Sequence, residues 1–315
     1  MKQAASLHPG LHRERGLTLV ELLISLVIGL VLMLAVIGAY LGSVSASGST
    51  QAQSRMNEDA QAALTVLSQH IRMAGNNPKQ PNYVPGAARN PVFDGITWAV
   101  RGCDAKFVDA AAASISALSC GASGADALAI AYEADRYNTV ATTGTNLPTD
   151  CLGQALPSVS TTISTWFTAT STVTPTSVTF NVADNRFYVD SGNLYCKGNG
   201  GAAQALVENV EDMQITYGVA RSDAGATLTV AGYLNASDII NPADPNLLAL
   251  PLEDRWTKVA TVRVCLIVRS EKPMAPSAES AQYFQCDGTL KTNPPDLRLR
   301  RAYTTTVVLR NRIAS

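Results

Sequence analysis

Arg15-Gly16-Leu17-Thr18-Leu19-Val20-Glu21-Leu22 opens an apolar run, Leu17 to Leu41 (LTLVELLISLVIGLVLMLAVIGAYL), broken only by Thr18, Glu21, Ser25 and Tyr40. Glu21 is its one charge, and the 33 residues from Leu22 to Ser54 carry none. As a helix the run is about 37 Å long, enough to cross a hydrocarbon layer of about 30 Å. No second segment of this kind follows, so the sequence predicts a single-pass membrane helix. The preceding residues 1–16 (MKQAASLHPGLHRERG) set Lys2, Arg13 and Arg15 against Glu14. Positive charge before an apolar run holds that end in the cytoplasm and sends the rest across.

An ordinary cleaved secretory signal fits this pattern poorly. The run is longer than an h-region of about 7–15 residues and no clean A-x-A site closes it, Ser43 to Ser47 being only weakly suitable. A plain anchor leaves Glu21 unexplained. A carboxylate inside a spanning helix costs about 2.5–3.5 kcal/mol, so it should be paired or functional.

Residues Arg15 to Leu22 resemble the class III signal of type IV prepilins and pseudopilins. The resemblance implies a leader of residues 1–16, cut after Gly16 on the cytoplasmic face by a prepilin peptidase. The same enzyme would methylate the new amine at Leu17, and the helix would be kept. Cleavage would leave that amine about 6 Å along the helix from Glu21. Among staggered identical helices it can reach a neighbour's carboxylate, so Glu21 would set subunit register. One departure is that the mature chain would begin with Leu17, where most of the family has Phe.

Beyond the membrane the helix is expected to continue over 42–75. Met56, Ala60, Ala63, Leu67, Ile71 and Ala74 recur at spacings of three and four, the stripe of an amphipathic helix. Arg55, Asn57, Glu58, Asp59, Gln61 and Arg72 fall mostly off it, and Gly75-Asn76-Asn77-Pro78 ends it. Gly48, among serines, is expected to be a weak point. Residues 76–315 read as a β-rich head. Lys258 to Arg269 (KVATVRVCLIVR) alternates cleanly, and further strands are expected at 127–132, 177–182, 186–189, 193–197, 213–219 and 303–310. The Ser/Thr-rich stretch 158–179 reads as strand and surface loop, and 202–212 (AAQALVENVED) as a short helix or loop. The expected fold is α+β and type IV pilin-like: a long N-terminal helix packed on a mainly antiparallel β head. Val207-Glu208-Asn209-Val210-Glu211-Asp212, followed by Tyr217-Gly218, resembles a stretch of PilW-type minor pilins. The strand around Val262–Ser270 and the Leu309-Arg310-Asn311-Arg312 ending are similar too.

With Lys plus Arg at 24 against 25 acids, the net charge of −1 offers no basic surface for nucleic acid. Cys103, Cys120, Cys151, Cys196, Cys265 and Cys286 all follow the apolar helix. An even count on the oxidising side favours disulfides, and no C-x-x-C or nearby His suggests a zinc site. Six cysteines allow fifteen connectivities; the spacing suggests neighbours, Cys103–Cys120, Cys151–Cys196 and Cys265–Cys286. No cofactor is expected.

Catalytic chemistry finds no support. His8 and His12 lie in the leader, leaving His70, read as solvent-facing or as helix-to-head packing. G-x-S-x-G, H-E-x-x-H, P-loop and G-x-G-x-x-G patterns are missing. Glu208/Glu211 and Glu253/Asp254 read as solvated faces. Asp184 to Asn193 (DNRFYVDSGN) reads as a turn between strands, since it lacks EF-hand spacing. The arginines Arg298, Arg300, Arg301, Arg310 and Arg312 read as a solvated face. The alternative is a contact with a neighbouring subunit, with Arg298 and Arg300 together on one side of a strand.

The resemblance thus implies a non-catalytic filament subunit, itself a substrate of prepilin peptidase and N-methyltransferase. It would sit in the bacterial inner membrane, head in the periplasm, and then near the pilus tip. Its partners would be other minor pilins, the major pilin, the inner-membrane assembly platform and a possible tip adhesin. Its role would be to prime pilus assembly in support of twitching motility, adhesion or DNA uptake. The alternative is a pseudopilin of a type II secretion system.

Overall fold

The structure, a computed structural model, describes residue 16 and residues 18–76, 99–167, 172–220 and 229–312, with no side-chain detail for 161–178 or 312. Leu17 lies outside the described residues, as do residues 1–15 of the leader. One helix, α1 (Leu19–Met73), runs through both parts of the N-terminal element. Gly48 does not break it, because its neighbours on each side hold helical geometry and a lone glycine costs only about 1 kcal/mol. The helix stops at Gly75, whose φ of +73° no β-carbon-bearing residue adopts cheaply. The Gly75 N–H then donates to the carbonyl of Ala131.

The chain forms two compact units, Met1–Gln51 and Ala52–Ser315. In the first, every side chain from Leu19 to Leu41 is exposed, Leu19 at 76% and Met33 at 70%.

The second unit holds the rest of α1 and two antiparallel sheets. The larger contains β1 (Val100–Cys103), β2 (Ala127–Ala134), β3 (Ser158–Phe167), β4 (Thr172–Asp190), β5 (Asn193–Lys197) and β6 (Gln204–Glu208), in the order β1-β2-β4-β5-β6 with β3 also on β4. The smaller contains β7 (Val210–Ala220), β8 (Val230–Leu234), β9 (Val259–Pro273) and β12 (Arg298–Val308), in the order β12-β9-β7-β8. A hairpin of β10 (Tyr283–Phe284) and β11 (Leu290–Lys291) precedes β12, and three short helices, α2 (Ala236–Ile240), α3 (Pro245–Leu248) and α4 (Leu252–Thr257), link β8 to β9.

Met56, Ala60, Ala63, Leu67, Ile71 and Ala74 are all buried, and Arg55, Asn57, Glu58, Gln61 and Arg72 are exposed. The stripe joins Leu128, Ile130, Phe187 and Leu194 of the larger sheet and Met213, Ile215, Val264 and Leu266 of the smaller in one core. The strand expected at 258–269 is β9, with Val262, Val264, Leu266 and Val268 inward.

Four expectations need correcting. Residues 202–212 are not helical: they form β6 and the start of β7, separated by Asn209 at φ +61°. Residues 184–190 continue β4, and the turn is confined to Ser191-Gly192. Glu211 is not a solvated charge, because it meets Arg300 and Arg269. Arg298 and Arg300 do not share an open face, since a register shift falls between them and Arg300 is buried.

Candidate functional site

The apolar segment begins with a capping box. Glu21 N–H donates to the Thr18 hydroxyl oxygen at 3.2 Å. In return Thr18 N–H and Thr18 O–H donate to Glu21 Oε2 at 2.9 and 3.0 Å. Thr18 is thus the N-cap and Glu21 the third helical residue, two backbone donors of the helix start being satisfied reciprocally, one by the carboxylate and one by the hydroxyl. Ser25 Oγ, one turn on, donates to the Glu21 carbonyl at 2.7 Å. Gly16, at the expected cleavage point, is exposed, and a β-carbon there would meet nothing within 4 Å. The helix that follows has a window of mean hydropathy 2.9 with no part of it buried within the chain. Such a surface is stable only in lipid or against other apolar helices.

The head is organised around the second half of α1. His70 is buried, against the sequence reading that allowed it solvent. Its Nδ1 lies 3.0 Å from the Tyr132 hydroxyl and 3.3 Å from Asn185 Nδ2. Asn185 Oδ1 accepts from Cys151 N–H at 3.0 Å, which fixes the amide's orientation. Its NH2 therefore donates to Nδ1, which is the unprotonated ring nitrogen. On the other sheet Tyr303 donates to Asn57 Oδ1 at 2.6 Å, and Asn311 donates to the Arg72 carbonyl at 3.0 Å. The sequence around His70 gave no sign of this cluster, because its partners lie 62 and 115 residues away.

Two buried arginines tie loops to the sheets. Arg186 meets Asp184 at 2.6 Å and donates to the carbonyls of Ala110 and Ala112. Arg300 forks onto both oxygens of Glu211 at 3.0 and 2.9 Å and reaches Asp296 at 2.8 Å. The disulfides are Cys103–Cys120, Cys151–Cys196 and Cys265–Cys286. Among the described residues no group of three or more His, Cys, Asp or Glu is placed to hold a metal ion.

Two buried groups give the head a hidden pH dependence. Burial pushes the His70 imidazole down to about 4. Burial, reinforced by Asp104 and Asp212, pushes the Asp126 carboxyl up to about 7, although Ile215 N–H donates to it. For His70 the unfolded chain binds the extra proton between about pH 6.5 and 4. Its contribution is full above 6.5 and falls by about 3 kcal/mol as pH drops to 4. For Asp126 the folded chain binds the extra proton between about pH 3.8 and 7, so its contribution grows as pH drops through that window. The two oppose each other. Asp126→Asn is therefore expected to expose the histidine: between pH 6.5 and 4 the variant loses more stability than the parent, by about 3 kcal/mol. Urea midpoints of the full chain in micelles measure this, and parallel curves for the two proteins would refute it.

Residues 179–311 match the family described as type IV pilus-assembly protein W. Residues 11–37 match the prokaryotic N-terminal methylation motif. Among solved structures, a type IV-like pilin from Thermus thermophilus is similar at a TM-score of 0.36 and 13% identity, over 82% of this chain and 99% of that one. No curated protein matches the chain. A region similar to the PilW family of type IV pilus-assembly proteins thus follows a segment similar to the prokaryotic N-terminal methylation motif.

Proposed function

We propose that this chain is a minor pilin of the complex that primes type IV pilus assembly, carried at or near the tip. The observation that carries this reading is the helix surface from Leu19 to Leu41, exposed throughout and headed by Glu21 just after Gly16. Prepilin peptidase would cut between Gly16 and Leu17 and methylate the Leu17 amine. The Leu17–Leu41 helix would wait in the inner membrane with the head in the periplasm, then enter the filament core. Glu21 would pair there with a neighbour's amine and set the stagger. The head would meet other minor pilins, the major pilin and a tip adhesin, in support of twitching motility, adhesion or DNA uptake. The disulfides suit an oxidising compartment.

A deletion strain scored for sheared surface pili and for secreted exoenzymes in the same cultures tests this. Loss of pili with normal secretion is expected. Normal pili with exoenzymes retained in the periplasm would replace the reading with a type II secretion pseudopilin.

A further inference from the structure

The smaller sheet ends at β8, which pairs with β7 and with no other described strand. Its sequence, Val230-Ala231-Gly232-Tyr233-Leu234, carries neither charge nor proline, the usual guards of an open edge. The register skips Ala231, so Gly232 to Leu234 form the regular part of that edge. At Gly232 a β-carbon would meet nothing within 4 Å. Glycine inside a strand marks a place where another backbone can come close.

Beside this edge lies a groove of about 720 Å³. Its floor is Val219, Leu234, Pro242 and Leu247, of which Val219 and Leu247 belong to the core itself. Asp238 and Asp244, both exposed, line its rim, and among the described residues no Lys, Arg or aromatic ring does. Helix starts fix both carboxylates. Asn246 N–H donates to Asp244 Oδ1 at 2.9 Å, and Asn235 N–H donates to Asp238 Oδ2 at 3.4 Å. Such a rim repels anions and attracts cations, and the lining offers a sugar no ring to stack on. Apolar floor, open backbone and acidic rim together match an extended peptide that carries a cationic side chain.

We infer that the β8 groove binds an extended, cation-bearing segment of another pilin in the same filament, added to the sheet as a strand beside β8. Main-chain hydrogen bonds along Gly232 to Leu234 hold the segment, and alternate side chains enter the apolar floor. A lysine or arginine of the segment meets the Asp238/Asp244 rim. The inference rests on the filament-subunit reading, since that reading places other pilins beside this head at high local concentration.

The test uses the tagged full-length chain in piliated cells, with a photo-crosslinking benzoylphenylalanine in place of Ala243, which is exposed on the groove. The expected product is an adduct with another pilin, its crosslink mapping to a non-helical segment that contains Lys or Arg. Asp238→Asn combined with Asp244→Asn removes both charges and keeps side chains that can cap the two helices. It should lower the adduct yield about threefold, the size of one exposed ion pair. Several outcomes would overturn the inference: no adduct, an adduct with a second copy of this chain or with a protein that is not a pilin, a crosslink in a segment without Lys or Arg, or a yield that the double variant does not move. Recovery of the tagged chain in sheared pili, measured in the same cells, tests the filament reading separately.

Discussion

Glu21→Val is expected to leave the chain in the membrane fraction at parental level and to remove it from sheared pili. A carboxylate in an apolar spanning segment is costly in lipid, up to about 2.5–3.5 kcal/mol at the centre and less near the end where Glu21 lies, so losing it does not hinder insertion. The capping box lost with it is worth about 1 kcal/mol, too little to unfold a helix that continues to Met73. What disappears is the acceptor proposed above for a neighbouring subunit's amine. Removing one partner of a desolvated ion pair costs about 3–5 kcal/mol, more than about 100-fold in occupancy. Because Glu21 also caps its own helix through Thr18, a second variant separates the two roles. Glu21→Gln keeps an oxygen acceptor for Thr18 and drops the charge. It should fail as the valine variant does. Quantitative blots of sheared pili against membranes decide the matter. Entry of Glu21→Gln into pili at parental level would make the residue a helix cap, and normal entry of Glu21→Val would dismiss it from assembly altogether.

Legibility in the sequence followed the range of the interactions. The second half of α1 reads directly because its period of 3.6 puts Met56, Ala60, Ala63, Leu67 and Ile71 on one face, and that face is the buried one. The strand β9 reads as well because alternation over ten residues has one interpretation. Residues 202–212 misled because Ala, Leu and Glu favour helix locally, while pairing of 204–208 with β5 and a left-handed Asn209 decide the outcome. Arg300 misled because strict alternation assumes an unbroken ladder, and a register shift put its guanidinium on Glu211 and Asp296. The helix α2 carries a local signature, the capping box of Asn235 and Asp238. At the assembly end, Thr18 and Glu21 are three residues apart and equally readable as a capping box. The surroundings of His70 had no such local signature.

The glycine at 102 belongs to the group that only packing reveals, and its replacement has the largest expected effect on the head. Gly102 lies in β1 of the larger sheet, and the side chain against it is Tyr217, in β7 of the smaller. A β-carbon at 102 would fall 1.8 Å from the Tyr217 hydroxyl oxygen and 2.6 Å from Cζ. The ring cannot swing aside freely, since it is fully buried and packs edge-on against Trp256 at 5.0 Å. Gly102→Ala therefore forces the two sheets apart at their junction, at an expected cost of about 3 kcal/mol. The Tyr217 hydroxyl has no hydrogen-bond partner among the described residues. Tyr217→Phe alone should consequently leave the head as stable or up to about 1 kcal/mol more so. In the double variant the closest clash is gone while the ring carbon remains, so part of the alanine's cost should be recovered. The coupling between the two sites is then negative, as it must be when one substitution makes room for the other. Urea midpoints at unchanged m-values measure all four proteins. Parental stability of Gly102→Ala, or costs that simply add in the double variant, would show that the junction yields and that the glycine is not what lets the sheets close.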